Sequence, residues 1–313
     1  MSFRFLAVSA CVSTAALAIC LYPANSRQPP VRLFPQLRAG QTLAYEVSYR
    51  SDQQMATKSS MVMDSTPAPQ QIDVRVLLRL RVLDVAPDGK RARIHARAWM
   101  EPASEGTEAR HAAAKSVEFT ILPDGRLAGV KGLEDLPAEQ RQAWQEWVAR
   151  FTLAATLPGE GAKLSARWKS QEPEKTPMPI RALTWFRESS YTGNEPCPST
   201  QLSVALQLGG EPAMCAVFLS TATLKQHSSE KNATPEDFRL HQLRTSGTAR
   251  GKNQIITYVS LRTGLLVRAT EEAGQTMDVT IAKADGSNRV HYNVTATSHS
   301  EVFLVSDPSP VRP

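Results

Sequence analysis

From Ile72 to Val82 every second residue is aliphatic: Ile72, Val74, Val76, Leu78, Leu80 and Val82. Asp73, Arg75, Arg79 and Arg81 stand between them. A period of two places the two sets on opposite faces of a β-strand. Slipping the register by one residue would turn the whole aliphatic set to water, so the buried face is strongly specified. Pro87-Asp88-Gly89 then supplies turn chemistry, and Ala92, Ile94, Ala96 and Ala98 carry the alternation back. The unit is an antiparallel hairpin with one buried and one charged face.

The same period recurs along the chain. Leu43, Tyr45, Val47 and Tyr49 alternate, as do Val117, Phe119 and Ile121 ahead of a second Pro-Asp-Gly. Met277, Val279 and Ile281 form another strand pattern, followed by an Asp285-Gly286 turn and then Val290, Tyr292 and Val294. Residues 51–71, rich in Ser, Gln and Pro, read as a loose crossover, and Lys225 to Asp237 as a solvated loop. One helix is expected: Pro137 suits a first turn, and Trp144, Trp147, Val148, Phe151 and Ala155 make a stripe at helical spacing before Pro158. The expected fold is α+β, mainly antiparallel β, a curved sheet or incomplete barrel wrapped around one prominent amphipathic helix. With 313 residues, 27–305 reads as a single β-rich domain, the alternative being two halves divided near 170–180, where QEPEKTPMP lies. Residues 306–313 read as a tail.

Phe5 to Tyr22 is an unbroken run of apolar and small residues behind one arginine, and Ala24-Asn25-Ser26 offers a cleavage site. That is the layout of a secretory signal over 1–26. An uncleaved inner-membrane anchor is the alternative. Export to the periplasm or beyond follows in either case. Two of the four cysteines lie in this leader, leaving Cys197 and Cys215 as one expected disulfide.

Letters that resemble chemistry fail on context. Gly247 and Gly251 in GTARGK are separated by three residues rather than four, and Asn253 stands where a phosphate loop carries Ser or Thr. Ser228-x-x-Lys231 with a downstream Arg262-Thr263-Gly264 matches a serine-hydrolase pattern in letters, but its serine sits in a polar loop. Residues 254–272 read instead as a hairpin. Ile255, Thr257, Val259 and Leu261 line one side, Thr263-Gly264 turn, and Leu265, Val267 and Ala269 return. GTARGK reads as a basic loop leading into it. None of the six histidines forms a His-x-x-x-His or His-Glu-x-x-His pair. No catalytic residue, metal ligand or cofactor is therefore assigned, and the chain is expected not to be an enzyme.

The charged face of the first hairpin is the most distinctive constellation. Arg75, Arg79 and Arg81 share parity on one strand, and Arg91, Arg93, His95 and Arg97 on the next. With the turn centred on Asp88, Arg79 falls opposite Arg97 and Arg81 opposite His95. Like charges so opposed are destabilising, which makes these six arginines candidate anion-binding residues, in keeping with the formal charge of +6. Nucleic acid is a poor partner, since the face has little interleaved aromatic character.

YEVSYRS after Gly40, PDGRLAGVKGLEDLPAEQRQAWQEW, GAKLSARW and YVSLRTGLLVRATEEA together resemble a family of uncharacterised exported bacterial β-rich proteins. A departure is that six residues, not two, separate Gly161 from Trp168. In predicted architecture the chain is distantly similar to periplasmic lipoprotein-carrier half-barrels. The leading expectation is an exported protein binding a lipid or other amphiphile on a concave face. Val74, Val76, Leu78 and Leu80 would line that face, with Trp144, Trp147 and Phe151 as a plug. The alternative is docking on an anionic envelope surface through the basic hairpin, and the third is a hydrolase whose site the sequence hides.

Overall fold

The computed structural model describes residues 30–31, 33–59, 68–101, 115–122, 127–136, 141, 161–174, 178–198 and 213–306. Eleven strands are found among them. The first five are β1 (Thr42–Ser59), β2 (Gln70–Val85), β3 (Ala92–Glu101), β4 (Lys115–Ile121) and β5 (Leu127–Lys131). Then come β6 (Arg167–Pro173), β7 (Leu183–Pro196) and β8 (Met214–Gln226), and finally β9 (Leu243–Ser260), β10 (Leu266–Lys283) and β11 (Val290–Ser306). All belong to one antiparallel sheet of order β5-β4-β3-β2-β1-β11-β10-β9-β8-β7-β6. Chain neighbours are sheet neighbours except at β5 and β6, and the first and last strands join the two arms. β5 and β6, consecutive in the chain, form the two edges.

This corrects the expected fold class. The described residues are all-β, not α+β. The helix among them, α1 (Glu236–Leu240), is about one turn long and buries no residue. Antiparallel strands can be joined by tight turns and need no crossover helix. The Trp144, Trp147, Val148, Phe151 and Ala155 stripe lies outside the described residues, as do the leader and Cys11 and Cys20.

Two readings of polar stretches are also corrected. Residues 51–59 continue β1 instead of opening a loose crossover, because β11 pairs with them through Ser59↔Val290. β2 begins at Gln70, opposite Gln53. GTARGK is not a leading loop but the middle of the 18-residue β9, laddered to β10 from Gly247↔Val279 to Gly251↔Gln275. Polarity misleads here because one face of each long strand is solvated and the backbone ladder needs no apolar side chain. The Lys225–Asp237 stretch opens with the last two residues of β8 and closes with the first two of α1.

Turn chemistry behaves as its residue types require. Asp88 Oδ1 accepts from Lys90 N–H (3.0 Å), and Asp285 Oδ1 from Ser287 N–H (2.8 Å). Between β9 and β10, Gly264 N–H donates to the Ser260 carbonyl (2.8 Å) with φ at +64°. A Cβ there would lie 2.1 Å from the Phe34 carbonyl oxygen, so the Thr263-Gly264 turn both needs a left-handed residue and packs on the N-terminal segment.

One face of the sheet carries three apolar clusters. The largest joins Leu43, Tyr45 and Val47 of β1 with Leu78, Leu80 and Val82 of β2 and the inward residues of β3 and β4. Tyr45 donates its buried hydroxyl to the Leu266 carbonyl (3.1 Å), tying this cluster to the start of β10. A second gathers Leu33, Tyr191, Phe218 and Val259, and a third Leu183, Leu224, Ala249 and Val279.

Candidate functional site

The basic hairpin forms in the register set by its turn. Arg79 pairs with Arg97 and Arg81 with His95, and a bulge between Val82 and Asp84 shifts the ladder nearer the turn. Arg75, Arg79, Arg81, Arg91, Arg93 and Arg97 are all exposed. Arg93 is locally neutralised: Nε reaches Asp84 at 2.7 Å and Nη1 reaches Glu118 at 3.3 Å. These arginines lie opposite the apolar clusters, because alternate residues point to opposite faces.

The residues expected to line an apolar ligand site divide. Leu78 (0% exposed) and Leu80 are buried in the largest cluster, and Val76 packs against it. Val74 is half-buried, and Ile72 beyond it is 41% exposed. Trp144, Trp147 and Phe151 lie outside the described residues. β2 therefore places its aliphatic face in a packed core over the stretch from Val76 to Val82.

Cys197 and Cys215 form the expected disulfide. Cys197 follows the end of β7, where its N–H donates to the Ala213 carbonyl (2.7 Å), and Cys215 is the second residue of β8, opposite Glu195. The bridge closes a ladder already formed. Among the described residues no three His, Cys, Asp or Glu side chains are placed to share a metal ion.

Two arrangements were not anticipated. Across the clustered face, polar rows separate the second and third apolar clusters. Ser189 and Ser220 share a 2.7 Å hydrogen bond across β7 and β8. Asn253 on β9 donates to the Glu271 carboxylate on β10, which also accepts from Ser300 on β11 (3.5 Å). The two serines and Glu271 are paired, as partly buried polar groups usually are, whereas the Asn253 side-chain oxygen is buried without a partner.

On the opposite face, β8, β9, β10, β11 and β1 together floor a trough of about 650 Å³. Its cross-strand rows are Thr223–Lys252–Gly274–Thr297–Asp52 and Thr221–Gln254–Glu272–His299–Arg50. Arg50 Nε lies 3.6 Å from Asp52. A second trough of about 760 Å³ continues it across Thr223, Lys252 and Gly274 toward Lys225 and Arg250. The sequence shows these side chains as the polar parity of each strand. Their assembly depends on registers between strands far apart in the chain.

No protein-family model and no curated protein matches the sequence. Among solved structures, the chain is similar to the outer membrane protein OprG from Pseudomonas aeruginosa, at 9% identity over 87% of this chain and 99% of that one, with a TM-score of 0.19. It is also similar to an outer membrane channel from Pseudomonas putida F1, at 10% identity over 86% and 98% of the two chains, with a TM-score of 0.17. These are outer-membrane proteins rather than the lipoprotein carriers expected from the sequence, and TM-scores this low carry no argument about function.

Proposed function

We propose that this chain is an exported, non-enzymatic envelope protein that docks on a polyanionic envelope component through the β2–β3 hairpin. The observation that carries the reading is the register, with Arg79 facing Arg97 and Arg81 facing His95 while Arg75, Arg91 and Arg93 share the same face. Six arginines gathered on one exposed face raise the local concentration of an anionic partner. Asp84 and Glu118 answer that charge locally at Arg93. The leader supports export. Docking is favoured over carriage of an apolar ligand because Leu78 and Leu80 are already packed.

The test is retention on immobilised polyphosphate, used as a polyanion without sugar. The parent chain binds at low salt and elutes as salt screens the contact. Arg79→Ala/Arg97→Ala elutes at clearly lower salt. Parent-like elution of that variant, or retention indifferent to salt, sinks the proposal.

A further inference from the structure

The trough on the arginine-bearing face has a chemistry of its own. At its two cross-strand rows the face presents hydroxyls, amides and charges: Thr221, Thr223, Gln254 and Thr297, with Lys252 and Glu272 between them. Ala222 and Ala273 border it through backbone, since their side chains point to the clustered face. A lipid tail laid there would bury these hydroxyls and charges without partners, at a cost. Planar membrane would ride over a trough rather than fill it.

Gly274 lies at the centre of the floor, paired with Lys252 on one side and Thr297 on the other. With no Cβ it leaves the backbone open to close approach. Strands are about 4.8 Å apart, close to the rise of one sugar in an extended glycan. A chain laid across β8, β9, β10, β11 and β1 therefore meets a pair of polar side chains at each strand except β10, where Glu272 stands alone beside Gly274. Where the trough continues, Lys225, Arg250 and Lys252 are set against one acid, Glu230. The Lys225 ammonium lies 4.7 Å from the centre of the Phe186 ring. At the other end Arg50 stands opposite Asp73, two residues from Arg75.

We infer that the trough seats a linear acidic polysaccharide of the uronic-acid type, laid across the strands over Gly274. Its carboxylates meet Lys252 and Arg250, and its hydroxyls meet the threonines. This rests on the reading of the hairpin as a polyanion-docking face, and it names the partner: a chain leaving the trough over Arg50 continues toward Arg75.

Gly274→Val separates the two ideas. A Cβ at Gly274 meets no atom within 4 Å and the residue has no left-handed φ, so a β-branched side chain fits the strand while filling the trough. The probe is a purified linear oligogalacturonate of roughly ten sugars, enough to span the five strands at one sugar per strand spacing. Binding to the full chain is measured by calorimetry, with phosphatidylglycerol vesicles as the membrane arm and circular dichroism as the folding check. Gly274→Val should abolish measurable glycan binding without changing polyphosphate retention through the hairpin, and Lys252→Gln should weaken glycan binding about tenfold. Parent-like glycan binding by Gly274→Val overturns the inference and leaves the hairpin reading standing. So does a parent chain that binds the vesicles but not the glycan. Unchanged polyphosphate retention in Arg79→Ala/Arg97→Ala overturns the hairpin reading, and loss of glycan binding in Gly274→Val then supports the trough alone.

Discussion

The arm built from β1 to β5 and the arm built from β6 to β9 use the same alternating strands but bury them differently. In the first, thirteen of the described residues, on β1 to β4, belong to one continuous buried cluster that also takes in Leu266, Val302 and Leu304 of β10 and β11. In the second, the same face breaks into two clusters of six, with Ser189, Ser220 and the Asn253–Glu271 pair between them. Unbroken alternation gives one core and a single register. Interrupted alternation has to be held by side-chain hydrogen bonds, which contribute less net stability per group than apolar burial.

The comparison breaks most easily at Leu78. Truncating this fully buried side chain to alanine should cost about 4 kcal/mol, whereas Leu224→Ala in the six-residue cluster should cost about 2 kcal/mol. Urea unfolding of both variants measures the gap. Equal losses would show that the polar interruption does not weaken the second arm. Next in size is Ser189→Ala, which leaves the Ser220 hydroxyl without its partner and should cost about 1 kcal/mol. A neutral result would mean that the serine pair only fills space.

The smallest effect is one of pH. Burial pushes the Tyr191 phenol up from its ordinary value of 10.0, against the opposing hydrogen bond to Asn194. The folded state therefore holds this proton more tightly than the unfolded chain. That contribution is whole below pH 10.0 and is lost as pH rises through the raised value. Tyr191→Phe should flatten the alkaline slope of stability. An unchanged slope would assign it to other groups.

Much of the first arm was legible from residue types. Ile72 to Val82, the turn at Asp88 and the return from Ala92 to Ala98 set both the buried face and the pairing of Arg79 with Arg97, because a tight turn leaves little freedom of register. The Thr263-Gly264 hairpin was legible for the same reason, since its turn needs a left-handed residue. The second half of β1 was misread because its polar residues look like loop when the partner strand is unknown. The trough could not be read at all: Thr223, Lys252, Gly274, Thr297 and Asp52 are ordinary strand residues until five strands align them.

Local pattern determined which side of each strand is buried, where adjacent strands turn, and which two cysteines meet. Those properties depend on side-chain period and on residues close in the chain. The tertiary structure decided that β1 pairs with β11, that the sheet runs unbroken through eleven strands, and that one of its faces carries a polar trough. Such pairings join residues as remote as Tyr45 and Leu304. A period of two specifies the face a residue takes but not the strand that lies beside it.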